Sequence, residues 1–81
     1  MRVKINKVSY TQVNANESGF LIQNITQGDV YVIISDTQPA DTAPHDFILN
    51  YTDGISNDDV VGKVWAKSAA FEECEISSVD R

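Results

Sequence analysis

The sequence predicts an all-β domain, a small antiparallel β-sandwich or barrel of six to seven short strands. Three observations lead there. Apolar and polar residues alternate through most segments, as they do in a strand with one buried face. Clusters of Gly, Pro, Asn, Asp and Ser punctuate the chain at intervals of roughly 8–12 residues, the rhythm of sandwiches and barrels. No apolar stripe recurs at helical spacing over several turns; the best helical window, 66–73, is a turn or two at most.

The first segment sets Val3 and Ile5 on one face and Arg2, Lys4 and Asn6 on the other. At Lys7 the phase slips and Val8 and Tyr10 take the apolar positions, so a bulge or bend is expected near Asn6-Lys7. Residues 14–19 are a turn cluster. Residues 20–25 read as the second strand. Thr26-Gln27-Gly28-Asp29 then joins it to residues 30–35 as a tight hairpin, with Gly28 supplying a positive φ. The run Val30-Tyr31-Val32-Ile33-Ile34 is apolar on both faces and rich in β-branched residues, which predicts a central strand covered on both sides.

Residues 36–46, DTQPADTAPHD, hold Pro39 and Pro44, which cannot donate to a ladder, and a surface loop is expected. Residues 47–51 make the fourth strand, with Phe47, Leu49 and Tyr51 on one face. Asp53-Gly54 signals a turn before a brief pairing at Ile55-Ser56. Over 60–67, Val60, Gly62, Val64 and Ala66 share one face and Val61, Lys63, Trp65 and Lys67 the other. Residues 73–79 form the last strand, Cys74 and Ile76 inward, Glu73 and Glu75 outward.

Eighty-one residues are read as a single β domain, 1–81, in which 1–10 is an edge strand or an arm. A chain this short buries only about 60% of its unfolded surface, so its stability margin is thin. Cys74 is the only cysteine, which excludes an intrachain disulfide and leaves self-association as the simplest added support. The start, RVKINKVSY, is too polar for a signal peptide, and no window approaches the ~18 apolar residues of a membrane span. Synthesis in a reducing cytoplasm is expected, and the sequons at Asn16, Asn24 and Asn50 are then chance matches.

The net charge is −6, and its placement is uneven. Arg2, Lys4 and Lys7 precede any acid. No Lys or Arg lies between Val8 and Gly62, where Glu17, Asp29, Asp36, Asp41, Asp46, Asp53, Asp58 and Asp59 all fall. Such a surface repels phosphate backbones, so nucleic acid is not an expected partner, and neither is a membrane. The basic start and acidic middle offer complementary surfaces, within the chain or between copies. The acidic middle serves equally as a solubilising surface.

No catalytic residues are expected. His45 is the only histidine, and no Gly-x-Ser-x-Gly elbow accompanies it and Asp46. Cys74 reads as a small buried apolar group between Glu73 and Glu75. Asp53, Asn57 and Asp59 partly follow a calcium loop, but Asp58 stands where the loop needs glycine and Val64 where it needs the bidentate Glu. No metal or other cofactor is therefore expected. Trp65 shares a face with Lys63 and Lys67, either as an exposed anchor for sugar or protein or as a ring covered by the lysine stems. The candidate interface is Arg2, Val3, Lys4, Ile5 and Lys7, with Trp65.

The segments LIQN (21–24), GDVYV (28–32), FILN (47–50), GKVWAKSA (62–69) and ECEISSVD (73–80), in that order, resemble small β-structured virion proteins of tailed bacteriophages. The resemblance spans about residues 20–80 and finds no counterpart for residues 2–10. It implies a head-decoration, head–tail or tail-associated role, usually in symmetric copies, with no catalytic residues to carry over. The expected function is a non-enzymatic structural protein, located in the virion, that binds other particle proteins and forms a homo-oligomer. The alternatives are a carbohydrate- or receptor-binding β-sandwich module and a small acidic inhibitor of a host protein.

Overall fold

The alternating segments become eight strands and no helix in a computed structural model that describes residues 1–81. They are β1 (Arg2–Asn6), β2 (Thr11–Gln12), β3 (Phe20–Asn24), β4 (Val30–Ile34), β5 (Phe47–Leu49), β6 (Gly54–Ser56), β7 (Val64–Ser68) and β8 (Glu73–Asp80). They form two four-stranded antiparallel sheets, β1-β8-β3-β6 (sheet A) and β2-β7-β4-β5 (sheet B), so the sandwich is observed and the barrel is not. The expected six to seven strands become eight because β2 is only two residues long and carries no alternation of its own.

The pairings β1·β8, β2·β7, β3·β6 and β4·β5 are those of one long hairpin with four strands in each arm. Rolling it brings β8 beside β3 and β7 beside β4, which closes both sheets. This is the eight-stranded jelly-roll arrangement. Every connection except β4–β5 crosses from one sheet to the other. The slip at Lys7 is one such crossing: Asn6 Oδ1 accepts hydrogen bonds from Val8 N (2.8 Å) and Ser9 N (2.9 Å), bending the chain from sheet A to sheet B. Val8 points to solvent at that bend, 63% exposed, while Tyr10 is buried as expected.

The inward residues fuse into one cluster: Ile5, Val13, Phe20, Ile22, Val30, Val32, Leu49, Ile55, Val64, Ala66, Cys74 and Ile76. Each large aliphatic or aromatic side chain so buried contributes about 1.5–3 kcal/mol. Cys74 sits there as a small apolar group whose thiol meets Ser68 Oγ at 3.3 Å. β4 lies inside sheet B, between β7 and β5, as its two apolar faces predict.

Four local expectations are corrected. The 26–29 segment is a crossing between sheets and not a hairpin, and Gly28 has no positive φ. Its lack of a side chain matters for another reason: a Cβ there would lie 2.9 Å from the Phe71 ring. The turn after β5 centres on residues 50–53, where Thr52 takes φ 74° and Asp53 closes onto Asn50 N, so Gly54 is already in β6 and Tyr51 is exposed. The strand expected over 60–67 begins at Val64, because Gly62 has φ 109° and breaks the extended run. Across that break the buried Asn14 replaces ladder bonds, donating to Gly62 O and accepting from Val64 N, each at 2.8 Å. The fourth correction is the window 66–73, which continues as strand to Ser68 and then bends without helix.

Candidate functional site

The two outer faces of the sandwich are built differently. On sheet B, the long β4–β5 connection does not project as a free loop. It folds back as a strap, and β7 ties it down. Lys63, Trp65 and Lys67, alternate residues on the outer face, each donate to a strap carbonyl: Lys63 Nζ to Asp36 O at 3.3 Å, Trp65 Nε1 to Ser35 O at 2.8 Å, Lys67 Nζ to Asp41 O. Tyr10 Oη donates to Ala43 O at 3.0 Å, and Gln38 Nε2 to Tyr10 O at 2.9 Å. The Tyr31 and His45 rings stack with centroids 4.2 Å apart. Tyr10 and Ile33 are buried yet stand outside the main core cluster, so the strap and sheet B enclose a second, smaller apolar layer. Trp65 is therefore half-buried and pinned, and lies on the opposite face of the molecule from the first-strand residues with which the sequence grouped it.

Sheet A has no such cover. Arg2, Lys4 and Lys7 pair with Glu75 (3.6 Å), Glu73 (3.8 Å) and Glu72 (2.8 Å). Within the chain they therefore do not face the acidic middle: antiparallel β1·β8 pairing sets Arg2 and Lys4 beside the acids of β8, and Lys7 meets Glu72 in the bend just before it. Ile5, 1% exposed, belongs to the core and leaves the candidate interface, while Val3 is half-buried at its margin. Leu21 and Val79, register partners on β3 and β8, form an exposed apolar pair farther along the face.

The sandwich has four strand edges, and three are short or capped. β2 is two residues long, with side-chain amides on Tyr10 O and Asn14 O at its ends. At β5, Leu49 O accepts from the buried Asn24 Nδ2 (3.1 Å) and Asn50 N donates to Asp53. At β6, Ser56 N donates to Asp59 Oδ2 (2.8 Å), and Ser56 O accepts from Asp59 N and Val60 N. The remaining edge is β1, five residues long.

Next to β1 lies an open groove of about 430 Å³ lined by Arg2, Ile25, Thr26, Gln27, Phe71 and Glu75. Phe71 is 47% exposed, and its ring rests on Gly28. Sequence reasoning missed this group, because a lone aromatic in a turn has no periodicity; the Gly28–Phe71 contact exists only after the sheets close.

The remaining polar candidates hold turns and crossings. Asp53, Asn57 and Asp59 do not converge: their oxygens accept from Asn50 N, Phe20 N and Ser56 N respectively. No three His, Cys, Asp or Glu side chains gather around one point. Asp46 accepts from Ile34 N and does not orient His45. Asn24, the middle sequon, is buried between Gly28 O, Leu49 O and Thr26 N. One titration is perturbed: burial raises the Tyr10 hydroxyl above its ordinary value of 10.0, with Asp46 and Tyr31 adding to the shift. No family model matches the chain, and no curated protein or solved structure matches it.

Proposed function

We propose that this chain is a non-enzymatic assembly protein that binds other proteins of a larger particle and copies of itself, and that the particle is a tailed-bacteriophage virion. The observation that carries the assembly reading is the uneven sealing of the sandwich: three edges are capped or short and one outer face is strapped, while β1 and the outer face of sheet A stay open. A closed scaffold with one accessible side suits a part that docks in a fixed orientation. The jelly-roll arrangement recurs in viral shells and in lectins, so it favours the phage only by analogy of fold. The phage itself rests on the resemblance of residues 20–80. Contacts between copies fall to the Leu21–Val79 region, the exposed apolar part of the open face.

Two measurements test this. Antibodies against the chain should label intact tailed-phage particles made by cells carrying its gene, and light scattering at micromolar concentration should give a multiple of the 9.0 kDa chain mass. Unlabelled particles would remove the virion assignment, and a monomer would remove self-association.

The Phe71 groove favours the second reading, a carbohydrate-binding module, because a held aromatic ring lies beside Arg2, Gln27 and Glu75. Neutral oligosaccharides should then shift amide signals of residues 25–27 and 71, and Phe71→Ala should abolish the shifts.

A further inference from the structure

The free edge of β1 has a definite backbone pattern. Met1 and Ser78 exchange both main-chain hydrogen bonds: Ser78 N donates to Met1 O at 2.7 Å, and Met1 N to Ser78 O at 2.8 Å. In an antiparallel pair this exchange recurs at every second residue. Val3 and Ile5, opposite Ile76 and Cys74, therefore turn their N–H and C=O toward β8. Those of Arg2, Lys4 and Asn6 point away from it, and no turn, loop or side-chain bond engages them.

From this geometry we infer that β1 is an acceptor site for one added β-strand, an extended segment of a different protein with acidic residues alternating with apolar ones. The inference deepens the assembly reading and rests on it. β8 supplies the pattern. It is the strand β1 already pairs with, and it carries Glu73 and Glu75 beside Lys4 and Arg2 on the outer face, with Cys74 and Ile76 facing the core. A strand on the other edge meets the same two rows. Its residues opposite Arg2 and Lys4 share the outer face with both cations, whose ion pairs at 3.6 and 3.8 Å leave them well exposed. Its residues opposite Val3 turn toward the core margin, where Val3 is only half covered.

A second copy's β1 does not fit. Antiparallel pairing about Lys4, the register that pairs all five residues of β1, sets the two Lys4 residues together, and pairing about Val3 sets Arg2 against Lys4 of the other copy. Pairing about Ile5 avoids this only by leaving Arg2 and Val3 opposite the bend at Lys7-Val8, outside the strand. Like charges directly opposite destabilise a sheet. The cations therefore guard the edge against self-pairing and leave it open to an acidic strand.

The probe is a synthetic peptide copying residues 73–79 with serine at its cysteine position, compared with the same peptide carrying Lys for both Glu. In 15N-labelled full-length protein, the acidic peptide should shift the Arg2, Lys4 and Asn6 amide signals and slow their hydrogen exchange, and the Lys peptide should do neither. Lys4→Pro removes an outward N–H without removing a bond to β8, so it should keep the fold by circular dichroism yet weaken peptide binding at least tenfold. Arg2→Glu with Lys4→Glu should reverse the preference between the two peptides, which a loss of folding would not do. The inference is overturned if the acidic peptide leaves those amides unmoved at millimolar concentration, if both peptides bind equally, if Lys4→Pro binds like the parent, or if the protein dimerises through β1. None of these outcomes touches the labelling of particles, so the edge site and the assembly reading fail separately.

Discussion

The outer faces of sheets A and B have the same strand count and opposite finishes. Sheet B carries aromatic and aliphatic side chains outward, Tyr31, Ile33 and Trp65, and the 36–46 strap covers them. Sheet A carries charge outward, Arg2 and Lys4 against Glu75 and Glu73, and needs no cover. The strap removes apolar area from water, a large and local gain. The ion pairs of sheet A are exposed and contribute little to stability. The cover on sheet B is therefore structural, and the bare face of sheet A is free for contacts.

The largest effect expected is on the strand that carries both layers of sheet B. Val32→Asp leaves an unpaired charge between the sheets, a cost of several kcal/mol, and should yield a chain without folded signals in circular dichroism or proton NMR. The comparison between faces is tested next by Tyr10→Ala against Leu21→Ala. Removing the buried ring under the strap should cost about 3–5 kcal/mol, the range for large aromatic truncations. Removing the exposed Leu21 should change stability by no more than about 0.5 kcal/mol, both read from urea melts. Equal losses would mean that the strap adds no second layer.

The strap can also be probed by pH. Burial raises the folded-state pKa of Tyr10, so the unfolded chain loses this proton first as pH rises. The contribution of the protonated hydroxyl is thus complete below about pH 10 and is lost as pH climbs from there through the raised folded value. Tyr10→Phe lacks the Ala43 hydrogen bond and should cost about 1 kcal/mol at pH 8. The gap between its melting temperature and the parent's should narrow above pH 10. The smallest effect belongs to sheet A: Arg2→Ala should alter stability by less than ~1 kcal/mol, and added salt should erase the difference.

Much of this molecule was legible because strand period and residue type act locally. The two apolar faces of Val30–Ile34 placed β4 inside a sheet. The alternation at 73–79 put Cys74 and Ile76 in the core. The slip at Lys7 marked a true bend. Of the candidate interface, Arg2 and Lys4 do line one open edge. Ile5 lies in the same strand but on its inward face, opposite the cations, and Trp65 belongs to the other sheet, because a two-residue period tells which residues share a face of one strand and not which sheet that strand joins.

The sequence by itself determined an all-β chain, its main strand segments, the inward set and the uneven charge, since each follows from neighbours a few residues apart. Only the tertiary structure decided which strands pair, that 26–29 crosses between sheets, that 36–46 lies down on Tyr10 and Ile33, and that the cations meet Glu72, Glu73 and Glu75. Those outcomes depend on rolling one long hairpin, which joins residues as distant as Met1 and Ser78 through the closing of a common core, and no local pattern encodes that contact.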